Sequence, residues 1–252
     1  TRAYIGAKTK KMQKRVEAYE NRIRREIEEK EGLLKDIEET QDLKLMPLRY
    51  HKDRLLRTAD FSLRYCDAAA NAVRNVTFEL KNGDRIALDG ANGCGKNSLV
   101  KAILACNKDG EAVSSDYGTT GILEVPRNLI ISYISQDTSH LKGCLRDFAR
   151  EKKLDYTLLL ALLRQLDFER VLFDKDMELY SEGQKKKVLI ASSLLTPAHL
   201  YIWDEPLNYI DVYTRMQIEK LLLAFQPTML FVEHDVRFKE TIATGVLHME
   251  RN

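Results

Sequence analysis

The sequence predicts an α/β domain built around a phosphate-binding loop, with a long charged helix ahead of it. Three observations carry this. Residues 90–97 read Gly-Ala-Asn-Gly-Cys-Gly-Lys-Asn and follow the pattern G-x-x-x-x-G-K-[ST] at every fixed position but the last. Farther along, His199-Leu-Tyr-Ile-Trp203 is an apolar, strand-like run that ends in Asp204-Glu205. Ahead of both, residues 8–40 hold one glycine and no proline, and Glu, Lys and Arg dominate them.

The elements follow in order. Met12, Val16, Tyr19, Ile23, Ile27, Leu34 and Ile37 recur at spacings of three, four and seven, a seam along one side of a helix of the coiled-coil kind. Such a stripe needs a partner helix. Its charge is uneven: basic up to Arg25, mostly acidic from Glu26 to Asp42. A solvated helix with i,i+4 pairs explains the acidic half; the basic half suggests a polyanion, RNA first. The chain as a whole gives no such signal, since 40 Lys and Arg meet 38 Asp and Glu, a formal charge of +2. Pro47 ends the helix and a strand-like stretch begins near Leu55. An antiparallel layer is expected over residues 55–88, with a turn at Asn82-Gly83. Arg85-Ile-Ala-Leu-Asp89 reads as the strand into the loop, and the run from Ser98 as the helix after it. A helical subdomain is expected over roughly 145–195, and a mostly parallel sheet should carry the loop, Asp204 and His234. No run of eighteen apolar residues occurs, which excludes a membrane-spanning helix. The four cysteines are scattered and read as reduced thiols, so a cytoplasmic protein is expected. The start at Thr1 rather than Met leads us to expect part of a longer chain.

The chemistry lies in the loops. Gly90, Gly93 and Gly95 let backbone N–H groups turn inward around phosphate oxygens, with Asn92, Cys94 and Ser98 in the same cradle. The helix N-terminus adds a partial positive charge, and Lys96 reaches the β- and γ-phosphates. The departure is Asn97, where a Ser or Thr normally offers a hydroxyl to Mg²⁺. An amide oxygen ligates a cation from a longer arm, and the Ser98 hydroxyl stands about 100° around the helix. Asp204, at the end of a buried strand, is positioned to hold Mg²⁺, and Glu205 to act as general base on the attacking water. Tyr180-Ser-Glu-Gly-Gln184 is a polar turn opening a helix, where Ser181 and the Gly183 N–H are suited to a phosphate.

The order of phosphate loop, Gln136 in Ile-Ser-Gln-Asp, Ser-Glu-Gly-Gln, Trp-Asp-Glu-Pro, Asn208-Tyr-Ile-Asp211 and Val-Glu-His234-Asp resembles ABC-type ATPase domains over about residues 54–250. The resemblance implies ATP and Mg²⁺ as ligands, with Asn97, Gln136 and Asp204 toward the metal. It implies that Tyr65 stacks on adenine, that Gln136 senses Mg²⁺ and the attacking water, and that His234 touches the γ-phosphate. Ser181 and Gly183 would contact a nucleotide held by a second domain, with Asp211 at the contact between domains. Asp204-Glu-Pro-Leu-Asn-Tyr-Ile-Asp211 is similar to the D-E-P-T-N-x-x-D variant of ABC-F proteins, with Leu207 in place of Thr, and Ser-Glu-Gly-Gln-Lys-Lys-Lys to their antibiotic-resistance group. In that family two ATPase domains flank a helical hairpin whose tip enters the ribosome near transfer RNA. Residues 1–48 then read as the returning arm of the hairpin and 54–252 as the second ATPase domain. The implied partners are the other ATPase domain or another copy of this chain, together with the ribosome, its RNA and transfer RNA. Two competing readings are a membrane transporter's ATPase subunit, which seldom carries such a helix, and a chromosome-maintenance ATPase. In the latter a coiled coil usually separates the phosphate loop from the Asp-Glu pair.

Overall fold

The computed structural model describes residues 47–68, 70–109 and 116–250. The helix expected over residues 1–48, with its apolar seam and basic run, lies outside these residues except for its last two positions.

Two sheets of different kind organise the described residues. Strands β1 (Arg54–Tyr65), β2 (Val73–Lys81) and β4 (Tyr117–Glu124) form an antiparallel layer in the order β2-β1-β4. Leu55, Leu56, Phe61 and Leu63 of β1 are buried, and the pleat slips at Asp60, where a bulge at φ +48 interrupts the register with both neighbours. The second sheet is wholly parallel, in the order β5-β6-β7-β3-β8: Ile131–Ile134, Leu200–Asp204, Met229–Val232, Arg85–Asp89 and Gly245–His248. Every residue of β6 and β7 is buried, as expected of central parallel strands covered on both faces.

Helix α1 (Lys96–Asp109) joins the two sheets. Its Leu99, Val100, Ala102, Ile103 and Cys106 share one core with Leu55, Phe61 and Leu80 of the antiparallel layer and with Leu88, Ile202 and Leu230 of the parallel sheet. Each such aliphatic side chain contributes roughly 1.5–3 kcal/mol on full burial, so the loop ahead of α1 is held between two rigid sheets. The helical subdomain comprises α2 (Leu145–Glu151), α3 (Tyr156–Gln165), two 3₁₀ turns and α4 (Glu182–Leu195). Its aromatic centre is Phe168, stacked on Phe173 and edge-on to Tyr180, whose hydroxyl donates to the carbonyl of Leu172 at 2.7 Å. Helix α4 runs back to the parallel sheet: Ser193 Oγ lies 2.7 Å from Ser132 Oγ of β5 and accepts the indole N–H of Trp203 of β6 at 2.9 Å. Helices α5 (Val212–Phe225) and α6 (Val236–Ile242) complete the order.

One expectation needs correcting. The Asn82-Gly83 turn exists, with Gly83 at φ +87, but it is not a hairpin inside the antiparallel layer. It carries the chain from β2 to β3, which pairs with β7 and β8. The layer therefore spans 54–81 and closes with 117–124, not 55–88. The physical reason is that an Asn-Gly pair specifies a reversal but not the sheet that the next strand joins. Here the Asn82 amide is used otherwise: it donates to the carbonyls of Tyr50 (3.1 Å) and Lys52 (2.7 Å) and accepts the Tyr50 N–H, pinning the incoming chain.

Candidate functional site

The loop between β3 and α1 folds as its glycines require. Gly90 and Gly95 adopt φ +149 and +95, and a Cβ on Gly95 would stand 1.9 Å from the carbonyl oxygen of Ala72. No other residue fits there, so the loop presses on the start of β2. Nothing lies within 4 Å of where a Cβ of Gly93 would be, which leaves the loop's backbone open on one side. Lys96 is buried, and its Nζ donates to the loop's own carbonyls, Gly90 O at 2.7 Å and Ala91 O at 3.2 Å.

A cavity of ≈ 440 Å³ opens on that side. It is lined by Tyr65, Ala72, Asn92, Gly93, Gly95, Lys96, Asn97, Ser98, Gln136 and Glu205. Residues from five separate stretches of sequence thus meet at the C-terminal ends of the parallel strands, where open α/β sheets take their ligands. The Tyr65 hydroxyl lies 3.1 Å from Ser98 Oγ, and its ring stands edge-on to Tyr117. Asp204 and His234 sit one contact away. Gln136 Nε2 donates to Asp204 Oδ1 at 3.4 Å. His234 Nε2 is 3.3 Å from Glu205 Oε1, and against an ionised carboxylate this nitrogen carries the proton. The other oxygen, Glu205 Oε2, accepts from Asn208 Nδ2 at 2.8 Å. Glu205 itself stands at φ +48, an unusual conformation for a non-glycine residue, held by its N–H to Val232 O at 3.0 Å.

Asp204 is buried, and burial with the neighbouring Glu205 charge pushes its carboxyl up to about 6, against the pull of Lys186, Lys96 and Lys101. A carboxylate so placed gains from a cation. Gln136 beside it and exposed Asn97 across the cavity supply amide oxygens, so the donor set suits a hard cation such as Mg²⁺. Among the described residues no three His, Cys, Asp or Glu side chains cluster as a metal site, so most ligands of such a cation would come from phosphate and water. The open loop backbone, the buried Lys96 and the helix N-terminus fit a nucleotide's phosphates.

Other expected residues lie elsewhere. Cys94 does not line the cavity: its N–H donates to Ala91 O at 3.2 Å, and its buried thiol borders a different cavity beside Arg74 and His248. Ser181, Gly183 and Asp211 do not line it either. Ser181 caps α4 in a reciprocal box with Gln184 (3.3 and 2.9 Å). A Cβ on Gly183 would meet Tyr209 O at 2.4 Å, so this glycine lets α4 press on the 205–211 loop. Asp211 caps α5 through Thr214 and pairs with Lys187 at 3.0 Å. Burial alone would raise its carboxyl, but the N–H and hydroxyl of Thr214 and the Lys187 ammonium bring it down to about 2. Tyr209 and Val212 stand exposed beside it.

Three residues near the site carry no expected role. Asn208 lay inside a motif without one. Lys186, in a run of three lysines, is buried. Burial lowers its ammonium, opposed by Asp204, Glu205, Glu182 and Glu233. Glu233 is a buried carboxylate that accepts the N–H groups of Leu207 (3.3 Å) and His234 (2.8 Å), tying two loops together.

The family model described as ABC transporter matches residues 73–208, more than half of the chain. An ATP-binding protein Uup from Buchnera aphidicola is 30% identical over 190 residues, covering 71% of this chain and 30% of that protein. ABC transporter F family member 5 of Arabidopsis thaliana is 26% identical over 184 residues, covering 70% of this chain and 25% of that protein. The chain therefore spans under a third of the length of these curated relatives. Among solved structures, a dimeric bacterial ABC transporter cassette, MJ0796, aligns with a TM-score of 0.60 at 17% identity. The alignment covers 77% of this chain and 94% of that one, a likeness of fold alone.

Proposed function

This chain belongs to the ABC transporter family of ATPase domains, and we propose that it is one ATP-hydrolysing half of an ABC-F protein acting on the ribosome. ABC ATPase domains bind ATP with Mg²⁺ and hydrolyse it. The observation that carries the reading is the meeting of Lys96, Gln136 and Glu205 around one cavity, with Asp204 and His234 one contact behind. In this reading Lys96 leaves its loop carbonyls for the β- and γ-phosphates. Glu205 accepts the proton of the attacking water on a carboxylate oxygen, while Gln136 orients that water. His234 turns its Nε2–H from Glu205 Oε1 to the γ-phosphate, as Lys96 gives up its loop carbonyls. Asp204, Gln136 and Asn97 would hold Mg²⁺, and the bound ion would neutralise charge on the transferred phosphoryl group.

Ser181 and Gly183 serve a nucleotide in a second domain, because they lie off the cavity of their own. In this reading Asp211 lies at the contact between the domains, with Tyr209 and Val212 exposed beside it. The second domain is a different ABC ATPase domain or another copy of this chain. Turnover in dilute solution should therefore be weak and should rise with protein concentration. Brisk turnover independent of concentration would contradict the pairing.

The ABC-F assignment rests on the Asp204–Asp211 variant and on similarity to Uup and an ABC transporter F family member. A transporter subunit is not favoured, and no helix among the described residues is long and apolar enough to cross a membrane. The ribosome, its RNA and transfer RNA are proposed as partners on the basic run Lys8–Arg25, and a role in antibiotic resistance or translation follows from the resemblance. Replacing Lys10, Lys11, Lys14 and Arg15 with Ala should weaken co-sedimentation with ribosomes and flatten its salt dependence. An unchanged slope would remove RNA from the reading.

A further inference from the structure

Lys186 is a buried cation that the chemistry of the cavity does not use. It lies in the first two turns of α4, is 3% exposed, and its Nζ donates at 3.0 Å to the carbonyl oxygen of Ser135, the residue before Gln136. The same segment is tied to α4 a second time: Thr138 Oγ1 donates to Glu182 Oε2 at 2.7 Å. Two hydrogen bonds from one helix end thus flank Gln136, which reaches Asp204 Oδ1 at 3.4 Å. The bonds from Ser135 Oγ to Asp137 O (2.8 Å) and from Ser139 to the Asp137 carboxylate (2.8 Å) are local and shape the turn without anchoring it. Burying an ammonium opposes folding, so packing alone favours an apolar residue of the same length here. What Lys186 offers beyond such a residue is a charged donor aimed at Ser135, together with a charge that draws the Asp204 carboxyl down.

We propose that Lys186 is a positioning residue: it holds the Ser135 carbonyl, with the Thr138–Glu182 bond as a second clasp, so that Gln136 stays at Asp204 and follows the start of α4. The proposal rests on the reading of the cavity as a nucleotide site. Because α4 begins at Ser181 and Gly183, these two hydrogen bonds join that face to the Gln136 segment, beside the buried Ser193–Ser132 contact farther along the helix.

The test is hydrogen–deuterium exchange of residues 135–141 in the nucleotide-free chain, where the amides of Ser139 and Leu141 are bonded within the segment. Lys186→Met should speed exchange there by at least about fivefold, and Thr138→Val by about twofold. Lys186→Arg, which keeps the charged donor, should restore the wild-type rate. Emission of Trp203, the chain's single tryptophan, packed on Ser193 of the same helix, should not change. With ATP as probe, Lys186→Met should keep metal-free affinity within about twofold and lose most of the gain that Mg²⁺ brings. Unchanged exchange at 135–141 in Lys186→Met would overturn the proposal, as would faster exchange spread evenly over the domain. If Lys186→Met does not fold, Lys186→Gln, which shortens the arm and removes the charge, takes its place with the same expected result. If the wild-type chain fails to bind ATP, the reading of the cavity falls, while exchange in the nucleotide-free chain still decides the clasp.

Discussion

The cavity and the α4 face use their polar groups in opposite ways. Around the cavity, side chains rest on one another: Lys96 on loop carbonyls, Gln136 on Asp204, His234 and Asn208 on Glu205. Each partner can be given up for a ligand without unravelling an element. On the α4 face the named residues finish helices: Ser181 closes the start of α4 and Asp211 the start of α5. Those side chains are committed to structure, and what the face offers outward is backbone N–H, a glycine and exposed Tyr209. The difference teaches that one face is equipped for bond-making chemistry and the other for recognition. Changes at the first should alter rates and affinity, and changes at the second should alter stability and pairing.

The largest effect expected is on the cavity side. Glu205→Gln keeps the shape and the Asn208 contact but removes the proton acceptor. Hydrolysis in the paired state should fall by about two decades or more while ATP stays bound. Single-turnover measurement against nucleotide retention checks this, and a modest loss would move the general base elsewhere. Next is Gly183→Val on the other face. Its side chain must displace the Tyr209 carbonyl, which a Cβ would approach to 2.4 Å. Overpacking of this kind destabilises by about 1–3 kcal/mol. Denaturant unfolding should show that loss with ATP affinity kept, whereas a selective loss of affinity would blur the two faces.

Smaller effects sharpen the comparison. Asn97→Ser places a short hydroxyl at the cavity wall and should raise Mg²⁺-dependent nucleotide affinity by roughly threefold to tenfold. Unchanged Mg²⁺ dependence would mean that the amide already serves or that the metal sits elsewhere. The smallest effect is the Asp211–Lys187 pair. The folded Asp211 carboxyl titrates at about 2, below its ordinary 3.8, so the native state binds fewer protons than the unfolded chain. The stabilisation is complete above pH 3.8 and is lost as pH falls toward 2. Asp211→Asn keeps a helix cap and drops the charge. It should cost about 0.5–1 kcal/mol near neutrality, given that the carboxylate is half exposed, and nothing near pH 2. Unfolding curves at the two pH values give the difference.

Much of the cavity was legible because its signals are local. The glycines and lysine of residues 90–96 form one contiguous motif, and Asp204-Glu205 follows directly on a buried strand. Tyr65 was readable only through family resemblance, since a lone tyrosine at a strand end carries no ligand signal. Lys186 was hidden because its partner Ser135 is 51 residues away. Glu233 was hidden for the same reason, since it reaches Leu207, 26 residues away, whereas Asn208 contacts Glu205 only three residues off and sits in a motif that gives it no role. The Asn82-Gly83 turn shows the limit from the other side, a correct reversal whose destination depended on a sheet that no local pattern describes.

The most direct test of the two-face account is a titration of the nucleotide-free chain with ATP and Mg²⁺, run beside Lys96→Ala and Ser181→Ala. The account predicts one nucleotide per dilute chain, affinity weakened by about tenfold or more in Lys96→Ala, and affinity unchanged in Ser181→Ala. Unchanged affinity in Lys96→Ala, or an equal loss in Ser181→Ala, would contradict it.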